Sequence, residues 1–299
     1  MPIKPSYLKL AAEDLLVQRA AGFTEQINNC MLCPHNCRVD RREVLGFCQG
    51  EDVAIVSNYG PHYGEESVLV GHRGSGTIFF GNCNMACVYC QNYQLSFYGD
   101  GVYTSNTHLA DIMLILQNSY KCHNVNLVSP THYLGNIVPA IHLAVQKGLT
   151  LPFVYNSGGY ENLEVLKELE GIIDIYMPDF KYFNNETAFK YSGIKNYADT
   201  VKKALIEMDR QVGGLKTQNG IAYRGLLIRH LLLPDQWEET KEILKFIKEE
   251  LSPDVLLNLM GQYYPAHLAY NYEELSKPIS RTYFNQARTY ALELGLRLQ

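Results

Sequence analysis

This chain of 299 residues has few charges, no apolar run long enough to span a membrane, no internal repeat and no low-complexity tract. Each absence narrows what it can do. Acidic residues outnumber basic ones and leave a net charge of −5, whereas a general affinity for nucleic acid needs a basic surface. The longest uncharged window, residues 122–146, is interrupted by Pro130, Pro139 and several Asn and His residues, which makes it a poor membrane span. The start carries Lys4, Lys9, Glu13 and Asp14 where a secretory peptide needs an apolar stretch. Together these predict a cytoplasmic protein with neither membrane nor nucleic acid as partner. The length itself allows a large core, one α/β domain with a small appendage.

Cysteine, by contrast, is plentiful. Eight cysteines in a cytoplasmic protein of this size read as metal ligands or reactive thiols before they read as disulfides. Cys122 stands alone and reads as a small buried hydrophobe. The other seven form two tight groups. Cys83, Cys87 and Cys90 follow a C-x3-C-x2-C spacing directly after the apolar run Thr77–Phe80, with no fourth cysteine close behind. Three thiolates on one loop can hold three corners of a four-iron cluster and leave one iron open to another ligand; a structural zinc is the plainer alternative. Cys30, Cys33, Cys37 and Cys48 fall within a short stretch that also holds Pro34 and Gly46, residues suited to tight turns. Four thiolates so spaced satisfy either a tetrahedral zinc or a second iron–sulfur cluster.

Periodicity predicts an amphipathic helix from about Ser6 to Ala20, a second short helix up to Cys30, and short strands at 52–58 and 67–70. A boundary is expected near Gly71, separating an N-terminal helical and four-cysteine metal module (residues 1–70) from the main domain (residues 71–299). From Gly76 onward strand-like runs at 77–81, 125–129, 151–155, 172–177, 226–233 and 254–260 alternate with helical patterns, the last near 279–295. That alternation implies parallel pairing with right-handed crossovers. Six such units are too few for an eight-fold barrel, so the expected fold class is α/β, a partial (βα)6 TIM-type barrel, with a doubly wound sheet as rival. Polar clusters end most of these runs: Cys83, then Ser129-Pro-Thr-His132, Asn156-Ser-Gly-Gly159, Pro178-Asp-Phe-Lys181 and Gly261-Gln-Tyr-Tyr264. Strand C-termini share one face of a parallel α/β fold, where active sites are assembled.

The C-x3-C-x2-C loop, with Tyr89 just before its third cysteine, resembles the radical S-adenosylmethionine (SAM) superfamily. The resemblance is closer to the activating enzymes of pyruvate formate-lyase and their uncharacterised relatives, over about residues 76–262. Asp174–Lys181 resembles their Asp–x–Lys strand, and Ile228–Pro234 their strand with an inward Arg. The stretch Cys30–Cys48 resembles an N-terminal cysteine module of some uncharacterised members. The resemblance implies that Cys83, Cys87 and Cys90 ligate a [4Fe-4S] cluster whose open iron chelates SAM. Reductive cleavage of SAM then yields a 5′-deoxyadenosyl radical that abstracts hydrogen from substrate. It further implies Tyr89 near the adenine, Asp179, Lys181 and Arg229 at or around SAM, and Asn156 and Ser157 as the polar pair ending the third strand. A low-potential electron donor such as flavodoxin or ferredoxin is implied as partner, and a glycyl-radical protein if the chain is an activase. The family's Gly-Gly-Glu element is missing from the end of the second strand, where Ser129, Thr131 and His132 are the expected substitutes.

Plainer roles compete at several positions. Asp179 and Lys181 can be a simple ion pair, and Arg229 needs a partner that is either SAM or a structural carboxylate. His132, His230 and His267 read as satisfied histidines before they read as ligands, and the many tyrosines as packing and rim residues. Hydrogen abstraction from a small molecule or another peptide, or a non-catalytic zinc or iron–sulfur protein, are the alternatives to an activase.

Overall fold

The computed structural model describes residues 4–299, so the first three residues of the expected N-terminal module lie outside it. Ten strands form the architecture: β1 (Ala54–His62), β2 (Ser75–Phe80), β3 (Val102–Thr104), β4 (Val125–Val128), β5 (Phe153–Ser157), β6 (Ile175–Pro178), β7 (Lys216–Gln218), β8 (Ile221–Leu231), β9 (Leu256–Met260) and β10 (Arg297–Leu298). They are ordered β10-β9-β8-β6-β5-β4-β2-β1-β3, with β7 paired to β8 alone. Every pair from β2 through to β10 along that path is parallel, while β1 adds antiparallel to β2 and carries β3. The sheet has two free ends and is an open, partial barrel. Its six central strands are the six apolar runs of the sequence, each displaced by only a few residues.

Side-chain alternation along these strands sorts the core into two layers. Tyr155, Tyr176, Ile228 and Leu257 pack under the helices in the larger cluster. Val154, Ile175, Met177, Leu227 and Leu256 meet on the other face in a smaller one. Two positions further along, that second face carries Asn156, Asp179, Arg229 and Asn258. An apolar floor therefore gives way to polar groups at the strand C-termini.

Two expected elements differ. The first helix breaks after Ala12 and restarts as Leu15–Glu25, with Asp14 at a positive φ of 55° between the halves; the apolar periodicity runs through a turn that it does not register. Ser67–Val70 is a helical turn, closed by Gly71 at φ 48°. An apolar run of four residues has no length with which to separate strand from helix. Leu69, carried on this turn, is fully buried in the smaller cluster, and Asn124 Nδ2 donates to its carbonyl at 3.0 Å.

The N-terminal segment docks onto the barrel. The Ser6 amide donates to Asp174 Oδ1 at 2.8 Å and the Tyr7 hydroxyl to the Leu151 carbonyl at 2.8 Å. Leu16, Ala20 and Phe23 face inward, toward the helix Leu134–Gln146. β1 lies on the N-terminal side of the boundary expected at Gly71, yet it is hydrogen-bonded along the edge of β2. No helix among the described residues is long and apolar enough to cross a membrane.

Candidate active site

β2 ends at Phe80, and the chain turns through Asn82, at φ 63°, into the cysteine loop. The loop is irregular, and its backbone is held from outside: the Asn82 amide donates to the Leu95 carbonyl at 2.8 Å, Val88 to Tyr191 at 2.9 Å, and Leu268 to Val88 at 2.8 Å. Cys87 is buried, Cys83 and Cys90 half-buried. Donors point at the sulfurs. The Met85 amide donates to Cys83 Sγ at 3.4 Å, and Ser192 Oγ to Cys87 Sγ at 3.0 Å, with the Tyr182 hydroxyl at 2.7 Å from Ser192 Oγ behind it.

Burial pushes the Cys83 thiol up to about 12, with Cys87 and Cys90 beside it adding to the rise. The Cys87 thiol is also raised by burial, with the Lys181 ammonium opposing. Crowded, desolvated thiols of this kind become thiolates only when a cation lies between them. Among the described residues no three His, Cys, Asp or Glu side chains stand close enough to grip one metal ion. The donor set of three thiols on one loop with donors aimed at sulfur fits a four-iron cluster, in which each thiolate takes its own iron and outer donors tune the metal.

Beside this loop stands a polar quartet on the inner face of the sheet. Asp179 accepts from Lys181 Nζ at 2.6 Å and from Arg229 Nε at 2.7 Å, and Arg229 Nη2 donates to Asn156 Oδ1 at 2.7 Å. Burial alone would raise the Asp179 carboxyl, but Arg229 and Lys181 outweigh it and hold it below the usual carboxylate range. All three charged side chains keep 14–18% of their surface exposed, so they border an opening. The Tyr197 hydroxyl ties the strand ends behind them, donating to the carbonyls of Gly158 and Asp179 at 3.0 and 2.9 Å and accepting from the Lys181 amide at 3.0 Å.

The sequence profile of the radical SAM superfamily matches residues 77–247. The chain belongs to the radical SAM superfamily. A radical SAM family of enzymes implies a [4Fe-4S] cluster and SAM as cofactors, in agreement with the donor set. The chain is 32% identical to an uncharacterised protein of Methanocaldococcus jannaschii, over 98% of its own length and 82% of the relative's. Among solved structures it is similar to a radical SAM methyltransferase from Sphaerobacter thermophilus (TM-score 0.52, 12% identity, 75% of this chain and 65% of that one). It is also similar to Streptococcus suis SuiB bound to its precursor peptide SuiA (TM-score 0.51, 12% identity, 73% and 46%). The chain thus spans under half of SuiB and just under two thirds of the methyltransferase; at such identity the likeness is one of fold, the partial barrel.

Within this radical SAM fold the residues expected around SAM divide. Asn156, Asp179, Lys181 and Arg229 come together as described. Ser157 points to the opposite face of β5, with its Oγ accepting from the Gly159 amide at 3.3 Å. Ser129 is half-buried at a positive φ of 57°. Thr131 and His132 take other partners than those expected. Thr131 is 1% exposed and donates to Glu161 Oε1 at 2.9 Å. His132 is equally buried, with Nε2 donating to the Gly81 carbonyl at 2.9 Å, and it borders the Cys30–Cys48 site. The short 3-10 turn Thr131–Tyr133 after β4 carries both side chains away from the strand end, which periodicity does not reveal. Tyr89 is buried edge-on between Tyr182 and Tyr263, bracing the loop. His230 is satisfied by the Phe180 carbonyl and Thr240 Oγ1.

Two contributors, Ser192 and Glu66, escaped sequence reasoning, and a third, Glu161, stands in Ser157-Gly-Gly-Tyr-Glu161, one strand later than the family's Gly-Gly-Glu element. Ser192 ends a helix, Asn185–Ser192, that the sequence reading left out. Glu161 is buried against Thr131 and Tyr155. Glu66 is 5% exposed, accepts from Asn258 Nδ2 at 2.9 Å and lies within the field of Arg229. An acid immediately before the apolar Ser67–Val70 run was the available signal for Glu66.

Proposed function

We propose that the chain is a radical SAM enzyme in which Cys83, Cys87 and Cys90 hold the cluster and Asn156, Asp179, Lys181 and Arg229 hold SAM. One observation carries the reading: the polar quartet borders an opening on the inner face of the sheet, with the Lys181 charge felt at Cys87. When bound, the cluster and SAM supply a 5′-deoxyadenosyl radical, the hard chemistry of the reaction. Asp179, fixed between two cations, is an acceptor suited to ribose hydroxyls. Lys181 and Arg229 are donors suited to a carboxylate. Ser192 and the Met85 amide hold the thiolates, while Tyr89 and its tyrosine neighbours keep water from the loop.

The substrate we favour is a backbone glycine of a partner protein, which the resemblance to pyruvate formate-lyase activating enzymes supports. The peptide seen on SuiB keeps another peptide as the second reading. The electron comes from a low-potential carrier of the flavodoxin or ferredoxin class. The test is anaerobic iron and sulfide loading, reduction with dithionite, and measurement of 5′-deoxyadenosine. The expected result is SAM-dependent 5′-deoxyadenosine that Asp179→Asn lowers by about tenfold, the loss expected for one hydrogen bond to a charged group. A fully iron-loaded chain that makes none would sink the proposal. Transfer of deuterium from a glycine-labelled glycyl-radical protein into 5′-deoxyadenosine would identify the substrate, and its absence would reject the activase reading.

A further inference from the structure

Glu66 stands beside the polar quartet without belonging to it. The chain fixes its place: Glu66 precedes the helical turn Ser67–Val70, and the Leu69 and Val70 amides donate to its carbonyl at 2.8 and 3.1 Å. Leu69 is buried in the inner apolar cluster with Leu256, so the turn rests against the inner face of the sheet. Glu66 meets that face one layer nearer the strand C-termini, where Asn258 Nδ2 donates to its Oε1 at 2.9 Å. Asn258 is half-buried and is the register partner of Arg229 on the adjoining strand. Adjoining strands lie about 4.8 Å apart, which sets Glu66 next to the groups proposed to hold SAM.

The second carboxylate oxygen is the unusual one. Glu66 is 5% exposed, and its Oε2 has no hydrogen-bond partner. Leaving a buried charged acceptor unbonded costs roughly 1–3 kcal/mol or more, and such an atom in a native fold calls for a reason. Arg229 does not satisfy it. Its Nε and Nη2 are spent on Asp179 and Asn156 at 2.7 Å each, and it only feels the Glu66 charge. Glu65 takes a different partner, His62 Nδ1, at 2.8 Å. One layer deeper, Asn126 is in register with Val154 of the inner cluster; it is fully buried, and neither its Oδ1 nor its Nδ2 has a partner. Two adjoining layers of the inner face are thus short of polar partners, which suits a polar guest.

The chemistry of the guest follows. A carboxylate oxygen only accepts, so the guest must bring a donor. Asp179 and Glu66 set two negative charges against the two positive ones of Lys181 and Arg229. A neutral donor leaves that balance intact, whereas an ammonium would bring an unmatched charge into a partly desolvated site.

We propose that Glu66 binds the substrate, its Oε2 accepting the amide N–H next to the carbon that gives up hydrogen. The contact rests on the function proposed above and supplies the feature by which a backbone glycine is read. It orients the substrate, and no covalent bond forms or breaks at Glu66.

The test measures binding by equilibrium dialysis on the full chain, loaded anaerobically with iron and sulfide, with SAM and without reductant. The probes are acetyl-alanyl-glycyl-alanine amide and its sarcosyl counterpart, in which N-methylation removes the glycine N–H. Wild type should hold the glycyl peptide at least about tenfold more tightly, the worth of a hydrogen bond to a charged group. In Glu66→Gln the Asn258 amide keeps the side-chain carbonyl oxygen, so an NH2 donor takes the place of Oε2. The preference should vanish through a loss of about tenfold on the glycyl peptide alone, with SAM affinity unchanged. Equal binding of the two peptides by wild type, or binding of neither, overturns the proposal, and this comparison stands even if the variant fails to fold. A variant that keeps the preference also overturns it, as does one that loses SAM affinity instead, since Glu66 would then act only through Arg229. Tighter binding of glycinamide, an ammonium donor, than of the capped peptide would overturn the amide assignment. Glycyl preference without 5′-deoxyadenosine on reduction would reject the proposed chemistry and leave the Glu66 contact standing.

Discussion

Glu161 is 2% exposed and takes hydrogen bonds from Thr131 and from the Tyr155 hydroxyl, each at 2.9 Å. Burial raises its carboxyl from 4.5 to about 7, and the surrounding hydroxyls pull the other way without cancelling it. A folded-state value above the unfolded one means that the neutral acid is the form the fold favours. The stability so contributed is present in full below about pH 4.5 and is lost as pH rises through about 7. By pH 8 the loss from this residue is about 3 kcal/mol. Glu161→Gln, which keeps the shape and remains neutral, should flatten that dependence. Urea midpoints from pH 5 to 8 should fall less steeply in the variant than in wild type, the slope that remains coming from Asp174, whose carboxyl burial raises to about 6, and parallel curves would show that Glu161 is not a source. The sequence Ser157-Gly-Gly-Tyr-Glu161 marks this acid as noticeable, but its partners come from β5 and from the turn after β4, and are visible only once those segments are side by side. The same is true of His132. Its position after an apolar run reads as a strand-end contact, and the turn that follows β4 sends it to the other cysteine site.

At the scale of elements, the strands and most helices were legible because burial imposes their period: a strand packed on both faces reads as an apolar run, and a crossover helix as a 3.6-residue stripe. The loops were legible in composition and not in path. Gly159 illustrates what the path requires. It has φ 79°, and a Cβ there would lie 2.4 Å from the carbonyl oxygen of Asp179, which is backbone and cannot step aside. Gly159→Ala should cost about 2–3 kcal/mol in strain and displacement. It should also shift the Asp179 strand end, weakening SAM binding measured by equilibrium dialysis on the cluster-loaded chain. A variant with wild-type stability and SAM affinity would contradict the tight approach of β5 and β6. The helix Asn185–Ser192 escaped notice because it is short and mostly polar, with few buried side chains; yet it places Ser192 on Cys87.

For the whole molecule, the decisive feature is continuity between the N-terminal segment and the barrel. Ser6 and Tyr7 are bonded to Asp174 and Leu151, Arg224 Nη1 donates to Ser6 Oγ at 2.5 Å, and β1 completes one edge of the sheet. Removal of residues 1–53 would bare the apolar surface that Leu16, Phe23, Ile27 and Leu32 now cover and take away the segment whose His35 and Gln49 contact Asn84 and Asn82. The expected outcome is an insoluble product, or one that melts without a cooperative transition, against single-step unfolding expected of the full chain, both followed by circular dichroism. A soluble, cooperatively folding truncation would establish the segment as an independent unit.

By itself the sequence determined the α/β class, the six parallel strands and two cysteine sites, because buried periodicity and close thiol spacing are local properties that any window of the chain carries. It also singled out Asp179, Lys181 and Arg229 as charges that need partners. Only the tertiary structure decided that these three meet each other and Asn156, that Thr131 and His132 turn elsewhere, and that the two cysteine loops touch through His35 and Asn84. Those choices depend on strand order and on the turns after each strand. A side chain's partner is set by which segments lie adjacent in space, and no local pattern records that.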